Sequence, residues 1–160
     1  MEFTIRKARP EDMSAVIELI QELAEFEKEP EAVIITAEDL KRDGFGENPS
    51  FTCFVAEAEG KIEGMALCYF RYSTWKGKTV HLEDLVVREN MRGKGLGNAL
   101  YKRVIQFAKE EGVKRTEWVV LDWHTHARDF YSRSGATVFT HWCTVQMEEQ
   151  AMDKFLEKTR

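Results

Sequence analysis

Apolar residues recur along this chain at two intervals, and each change of interval marks an element. Residues 3–8 alternate as a short strand. Pro10, Glu11 and Asp12 then have the composition of a helix first turn, with proline pre-set for the bend and acids facing the positive end of the helix dipole. Met13, Val16, Ile17, Ile20, Leu23 and Ala24 follow at the helical interval and give that helix one apolar face. The acidic run Glu25, Glu27, Glu29 and Glu31, with Pro30 inside it, ends the helix. Thr36, followed three positions on by Asp39, resembles a capping box for a short second helix that Gly44 and Gly46 close.

The interval then drops to two. FTCFVAEA and KIEGMALCYFRY are β-rich runs separated by Glu59 and Gly60, the spacing of a hairpin, and TVHLEDLVV is expected to run antiparallel to its predecessor. Past a glycine-rich stretch, Leu96, Leu100, Val104, Phe107 and Ala108 return to the helical interval, with Gly112 as the stop. The pattern predicts a strand over 116–121, a short helix over 125–134 ended by Gly135, a long last strand over 137–147 and a helix over Glu149–Lys158. No repeat, low-complexity tract or shift of composition divides the chain. We therefore expect one α/β (α+β) domain over residues 1–160, with a mixed, largely antiparallel sheet flanked by helices.

At 160 residues, folding buries roughly 70% of the unfolded surface, so no disulfide or metal staple is required. The net charge of −5 repels phosphate polymers and anionic lipid, which argues against nucleic acid or a membrane surface as partner. Cys53, Cys68 and Cys143 are odd in number, each among apolar neighbours and without C-x-x-C spacing, and read as reduced core thiols of a cytoplasmic protein. Neither an export signal nor an 18-residue apolar run is present in the sequence, so no membrane span is expected.

Arg92, Gly93, Lys94, Gly95, Leu96 and Gly97 lie between a strand and a helix. Such a loop exposes successive backbone N–H groups at a helix N-terminus, where phosphate binds, and glycine is needed where φ is positive or where an anion must approach the main chain. The spacing fits neither the dinucleotide fingerprint G-x-G-x-x-G nor a Walker loop. A pyrophosphate cradle of another kind remains, against the plainer reading of a glycine-rich connector.

These residues resemble the R/Q-x-x-G-x-G/A acetyl-CoA motif of the GNAT superfamily of N-acetyltransferases. EFEKEPEAVIIT, DGFGENPSF, YSTWKGKTVHLEDLVV, MRGKGLGNAL, LDW and DFYSRSGA extend the likeness over nearly the whole chain, toward the spermidine/spermine acetyltransferase branch and its sister, the thialysine Nε-acetyltransferases. The resemblance implies a GNAT fold with splayed central strands, acetyl-CoA as cofactor, a homodimer and a small primary amine as acceptor. It also implies that Arg92, Gly93, Lys94, Gly95, Leu96, Gly97 and Asn98 hold the cofactor, and that a backbone N–H in the Leu85, Val86, Val87 stretch binds the pantetheine arm and the oxyanion.

An aliphatic amine is neutral in only about one molecule per 2,500 at pH 7, a handicap of about 4.6 kcal/mol for a nucleophile, so the site must take a proton. Glu27, Glu83 and Asp84 are the candidate carboxylates. Adjacent acids on a strand point to opposite faces, which puts at least one of Glu83 and Asp84 on the packed side, where a charge without purpose is costly. Glu27, in its glutamate run, reads as a solvated face on sequence alone. The resemblance implies substrate contact for both Glu27 and Glu83, with Glu83 catalytic, and makes Tyr131 the proton donor to the departing thiolate.

Departures matter too. The polyamine branch carries an aspartate two residues before its tryptophan, whereas Ser73 precedes Trp75 here, which favours a short thialysine-like or lysine-analogue acceptor. Trp75 offers a cation–π face to it. His124 stands where the family has an asparagine that helps hold the cofactor, and the histidines fit no zinc spacing, so no metal is expected. The expected activity is direct attack of the amine in a ternary complex; polyamine or protein-lysine acetylation is the alternative, and a non-catalytic acyl-CoA sensor the alternative of another class.

Overall fold

The computed structural model describes residues 1–158. Glu59 and Gly60 both take positive φ, 50° and 75°, the mirror-image turn whose twist suits two antiparallel strands. β1 (Thr4–Lys7) pairs antiparallel with β2 (Thr52–Ala58), and the turn carries β2 into β3 (Lys61–Ser73). β3 pairs antiparallel with β4 (Gly77–Val87), and β4 runs parallel with β5 (Thr116–Glu117), giving the order β1-β2-β3-β4-β5.

Alternation along the strands loads both faces of this sheet. On one, Cys53, Val55, Met65, Leu67 and Val86 pack with Met13, Val16 and Leu19 of α1 (Met13–Phe26) and Leu40 of α2 (Ala37–Gly44). On the other, α3 (Leu96–Glu110) buries Leu96, Leu100, Val104 and Ala108, and its Phe107 ring stands 5.6 Å from that of Phe54. Each fully buried side chain of this size contributes about 1.5–3 kcal/mol.

The local signals set the helix starts. Pro10–Asp12 form a 3₁₀ turn ahead of α1, and Asp12 is tied to Arg6 at 2.7 Å. The Thr36 side chain accepts from the Asp39 N–H at 3.2 Å while the Asp39 carboxylate accepts from the Thr36 N–H at 2.8 Å, closing the expected capping box.

β4 contains an irregularity that the sequence does not show. Asp84 lies opposite Leu67, but Leu82 lies opposite Cys68, so Glu83 is the extra residue of a β-bulge. Below the bulge β4 meets β5 at Val80↔Thr116 and His81↔Glu117; beyond it, β5 ends and β4 continues with β3 alone among the described residues. The strand expected over 116–121 is thus cut to two residues because its partner turns away. This is the splaying of neighbouring strands that the family resemblance implies.

From Val120 onward the chain forms a second compact unit. It contains α4 (Thr125–Arg133), after which Gly135 takes φ 101°, and α5 (Glu149–Lys158). The strand expected over 137–147 is not formed: the residues alternate, but a strand needs a partner for its backbone groups, and none is paired there among the described residues. Cys143, expected in the core, lies in this segment and is exposed, whereas Cys53 and Cys68 are buried; all three are free thiols. No helix among the described residues is long and apolar enough to cross a membrane.

Candidate active site

The glycine loop has the geometry of an anion cradle. Gly93 and Gly95 take φ 75° and 92°, values an L side chain adopts only under strain, and Gly95 is the N-cap of α3. The first N–H of the helix with a backbone acceptor belongs to Ala99, bonded to the Gly95 carbonyl at 3.0 Å. The N–H groups of Gly93 to Asn98 therefore have no backbone acceptor among the described residues, and Gly93, Lys94, Gly95 and Asn98 are exposed. Unpaired donors at the positive end of a 15-residue helix suit a pyrophosphate, and a side chain at Gly95, though it would meet open space, would strain the loop at φ 92°. Gly97 is helical, and a Cβ there would make only an ordinary contact with Val87 at 3.7 Å, so neither backbone strain nor packing requires glycine at this position. Leu96 is buried beneath the loop and anchors it.

The strand edge leads into this cradle. The Arg88 N–H donates to Glu63 on the β3 side at 2.9 Å. Backbone groups alternate along an antiparallel strand, so those of Leu85 and Val87 point the other way, to the side where β5 has ended, while Val86 bonds toward β3. Arg92 Nε donates to the Val87 carbonyl at 3.3 Å. Its guanidinium stands 5.7 Å from the Phe26 ring at the end of α1. Cradle, strand edge and the residue next to Glu27 thus come together in the first unit.

The bulge also decides which way the acids face. His81 lies opposite Tyr69 and Asp84 opposite Leu67, and Tyr69 and Leu67 share a face of β3. Glu83, two residues from His81, and Asp84 therefore both point to the α1 side, where a regular strand would have sent them to opposite faces. Their electrostatics differ. Burial, then the charges of Glu83 and Glu27, pushes the Asp84 carboxyl up to about 6. Glu83 moves the other way, held down by hydrogen bonding to His81 and to the Tyr69 hydroxyl against the opposing effect of burial. Glu27 is exposed, yet partial desolvation of its carboxyl and the nearby Glu83 charge raise its pKa. The three carboxyls form one electrostatic cluster with one member poised near neutrality.

Trp75 and Ser73 lie apart from the cluster. Trp75 is 81% exposed at the tip of the β3–β4 hairpin, about 20 Å along the strand from Glu83. Ser73 Oγ accepts from the N–H groups of Trp75 and Lys76, each at 3.1 Å, so its hydroxyl organises the turn. Tyr131 sits on α4 in the second unit, its ring 5.5 Å from Phe130. His124 is the N-cap of α4, where its Nδ1 accepts from the Ala127 N–H at 3.4 Å, the capping task an asparagine performs. Sequence reasoning missed Tyr69, Arg71 and His81 around Glu83. The position of His81 two residues before Glu83 on a strand was the available signal.

Residues 13–136 match the acetyltransferase (GNAT) family. The chain is 42% identical over 159 residues to thialysine N-epsilon-acetyltransferase of Mus musculus, covering 92% of this chain and 94% of that one. It is 39% identical over 165 residues to the Bos taurus enzyme of the same name, covering 96% and 97%. Among solved structures, an integron cassette protein from the mobile metagenome of V. cholerae has the same fold, with a TM-score of 0.79 at 21% identity over 98% of this chain and 99% of that one.

Proposed function

This chain belongs to the GNAT acetyltransferase family and is an N-acetyltransferase, and from that premise we propose that it moves an acetyl group from acetyl-CoA to the primary amine of a short, thialysine-like or lysine-like acceptor. The observation that carries this reading is the pair Glu83 and Asp84 on one face of β4, a few residues before the anion cradle, with Glu27 at the end of α1 coupled to both by charge. A cationic acceptor is drawn to such a cluster, and a carboxyl near pKa 6 is largely ionised at pH 7 and still basic enough to take a proton.

Acetyl-CoA supplies the acetyl group as a thioester already activated toward attack. The N–H groups of Gly93 to Asn98, with Arg92 and Lys94, would hold its phosphates, and the free edge of Leu85 to Val87 would take the pantetheine arm. Glu83 and Glu27 attract the ammonium. Asp84 removes its proton, a division of labour that moves the base from Glu83, favoured on sequence, to its neighbour. Tyr131 returns a proton to the departing sulfur, and transfer is direct, within a ternary complex. The single domain over 1–160 works as a homodimer, the state that the resemblance implies.

The kinship with thialysine enzymes and the uncharged, turn-bound Ser73 support a short acceptor over spermidine, spermine or a protein lysine. Kinship with enzymes also sets the non-catalytic sensor aside. The cradle is tested by Gly95→Val, which forces a β-branched residue into φ 92°. Calorimetric titration is expected to show acetyl-CoA affinity reduced at least about tenfold, with the far-UV spectrum unchanged. Unaltered affinity in the folded variant would remove the cradle from cofactor binding.

A further inference from the structure

Arg71, His81 and Glu83 form a line of polar contacts that the roles above leave unused. Arg71 Nη1 lies 3.0 Å from His81 Nδ1. A guanidinium has only donors, so Nδ1 is the acceptor of that bond and the proton of the neutral ring sits on Nε2. Nε2 in turn stands 3.3 Å from Glu83 Oε2. The Tyr69 hydroxyl donates to the same oxygen at 3.2 Å. His81 is 6% exposed, with its ring 5.0 Å from that of Tyr69, so packing as well as hydrogen bonding fixes its plane. Arg71 is anchored in its turn to Glu117 of β5 at 3.1 Å. The line runs from β5 through β3 to β4 and ends on one carboxylate oxygen.

We infer that His81 is a positioning residue for the acceptor amine: with its tautomer set by Arg71, it pins Oε2 of Glu83 and leaves Oε1 as the lobe that meets the ammonium. This rests on the reading that Glu83 attracts the acceptor. Both protein donors converge on Oε2, and among the described residues none reaches Oε1. A carboxylate held in advance need not be frozen by the incoming substrate, and that saving appears in acceptor binding. The charged and titratable groups facing Glu83 are His81 and Asp84 on its own strand, Tyr69 and Arg71 on β3, and Glu27 after α1. His81 is the donor whose loss the Glu83 carboxyl should register most, because hydrogen bonding to it is the largest influence holding Glu83 ionised.

The test follows the Glu83 side-chain carboxyl by ¹³C NMR against pH in the wild type, His81→Phe and His81→Gln, beside steady-state kinetics with thialysine. Phenylalanine keeps the ring and removes the donor; glutamine restores an N–H. The expected result is a Glu83 midpoint that rises in His81→Phe and returns toward wild type in His81→Gln. Acceptor KM should rise about three- to tenfold in His81→Phe with acetyl-CoA KM unchanged. Imidazole ¹⁵N shifts should show the proton on Nε2 in the wild type, and loss of that single tautomer in Arg71→Met, a substitution at a half-exposed side chain that tests the line even if His81→Phe does not fold. An unmoved Glu83 midpoint, a wild-type proton on Nδ1, or acetyl-CoA KM rising in step with acceptor KM would overturn the proposal. Absence of amine turnover by the wild type would instead overturn the acceptor reading, while the NMR titration still decides whether His81 governs Glu83.

Discussion

Replacing Asp84 with asparagine is expected to lower turnover of a small primary amine by about 10²- to 10⁴-fold and, at neutral pH, to make the protein more stable. Both effects have one cause. Burial and two neighbouring acids raise the Asp84 carboxyl from an ordinary 3.8 to about 6. The folded chain therefore holds a proton between about pH 4 and 6 that the unfolded chain has released. Stability falls as pH rises through that window, and the whole penalty is present at pH 7. A shift of two units corresponds to about 3 kcal/mol, which solvent screening at a partly exposed group reduces to about 2. Asparagine removes the charge and with it the penalty, so chemical denaturation should show the gain at pH 7 and its disappearance near pH 4. In the proposed mechanism the raised value would also serve catalysis, since each unit makes proton transfer from an ammonium about 1.4 kcal/mol less uphill. Wild-type kcat/KM should accordingly rise with pH through about 6, and the variant should lack that limb. A variant of full activity, or one destabilised at pH 7, would contradict the role given to Asp84.

Tyr131→Phe is expected to reduce kcat by about 10²-fold or more while leaving the Kd for acetyl-CoA unchanged. The substitution deletes one hydroxyl and keeps the aromatic contact with Phe130, so α4 should persist. In the proposed mechanism the variant would lack the proton for a leaving thiolate whose conjugate acid has a pKa of about 8.5, and the deficit should narrow with an acyl donor whose thiol is more acidic. Rapid-quench turnover with calorimetric binding separates the two quantities. An unaltered rate would take Tyr131 out of the mechanism, and an equal loss of acetyl-CoA affinity would make it a binding residue.

Features set by nearest neighbours were legible before the structure. The box formed by Thr36 and Asp39, the hairpin at Glu59 and Gly60 and the positive φ of Gly93 and Gly95 each follow from the chemistry of two or three adjacent residues. Features set by pairing across the sheet were not. The bulge at Glu83 is a property of the count between β3 and β4, and it turns Glu83 and Asp84 to one face, where burial raises one carboxyl and hydrogen bonding to His81 lowers the other. The same turn of β4 shortens β5. Alternation over 137–147 states how a strand would bury its side chains but supplies no partner, and the apolar neighbours of Cys143 proved to be exposed with it. His124 illustrates a milder case, in which a ring nitrogen that the sequence did not mark as a cap accepts from the Ala127 N–H at the start of α4.

The central claim is that this chain acetylates short primary amines from acetyl-CoA, and thiol release by the purified protein against thialysine, lysine, ornithine, putrescine, spermidine and spermine tests it most directly. Turnover with thialysine well above spermidine, with intersecting initial-rate lines when both substrates are varied, is the expected result. Preference for spermidine, or tight acetyl-CoA binding with no thiol release for any amine of the panel, would contradict it.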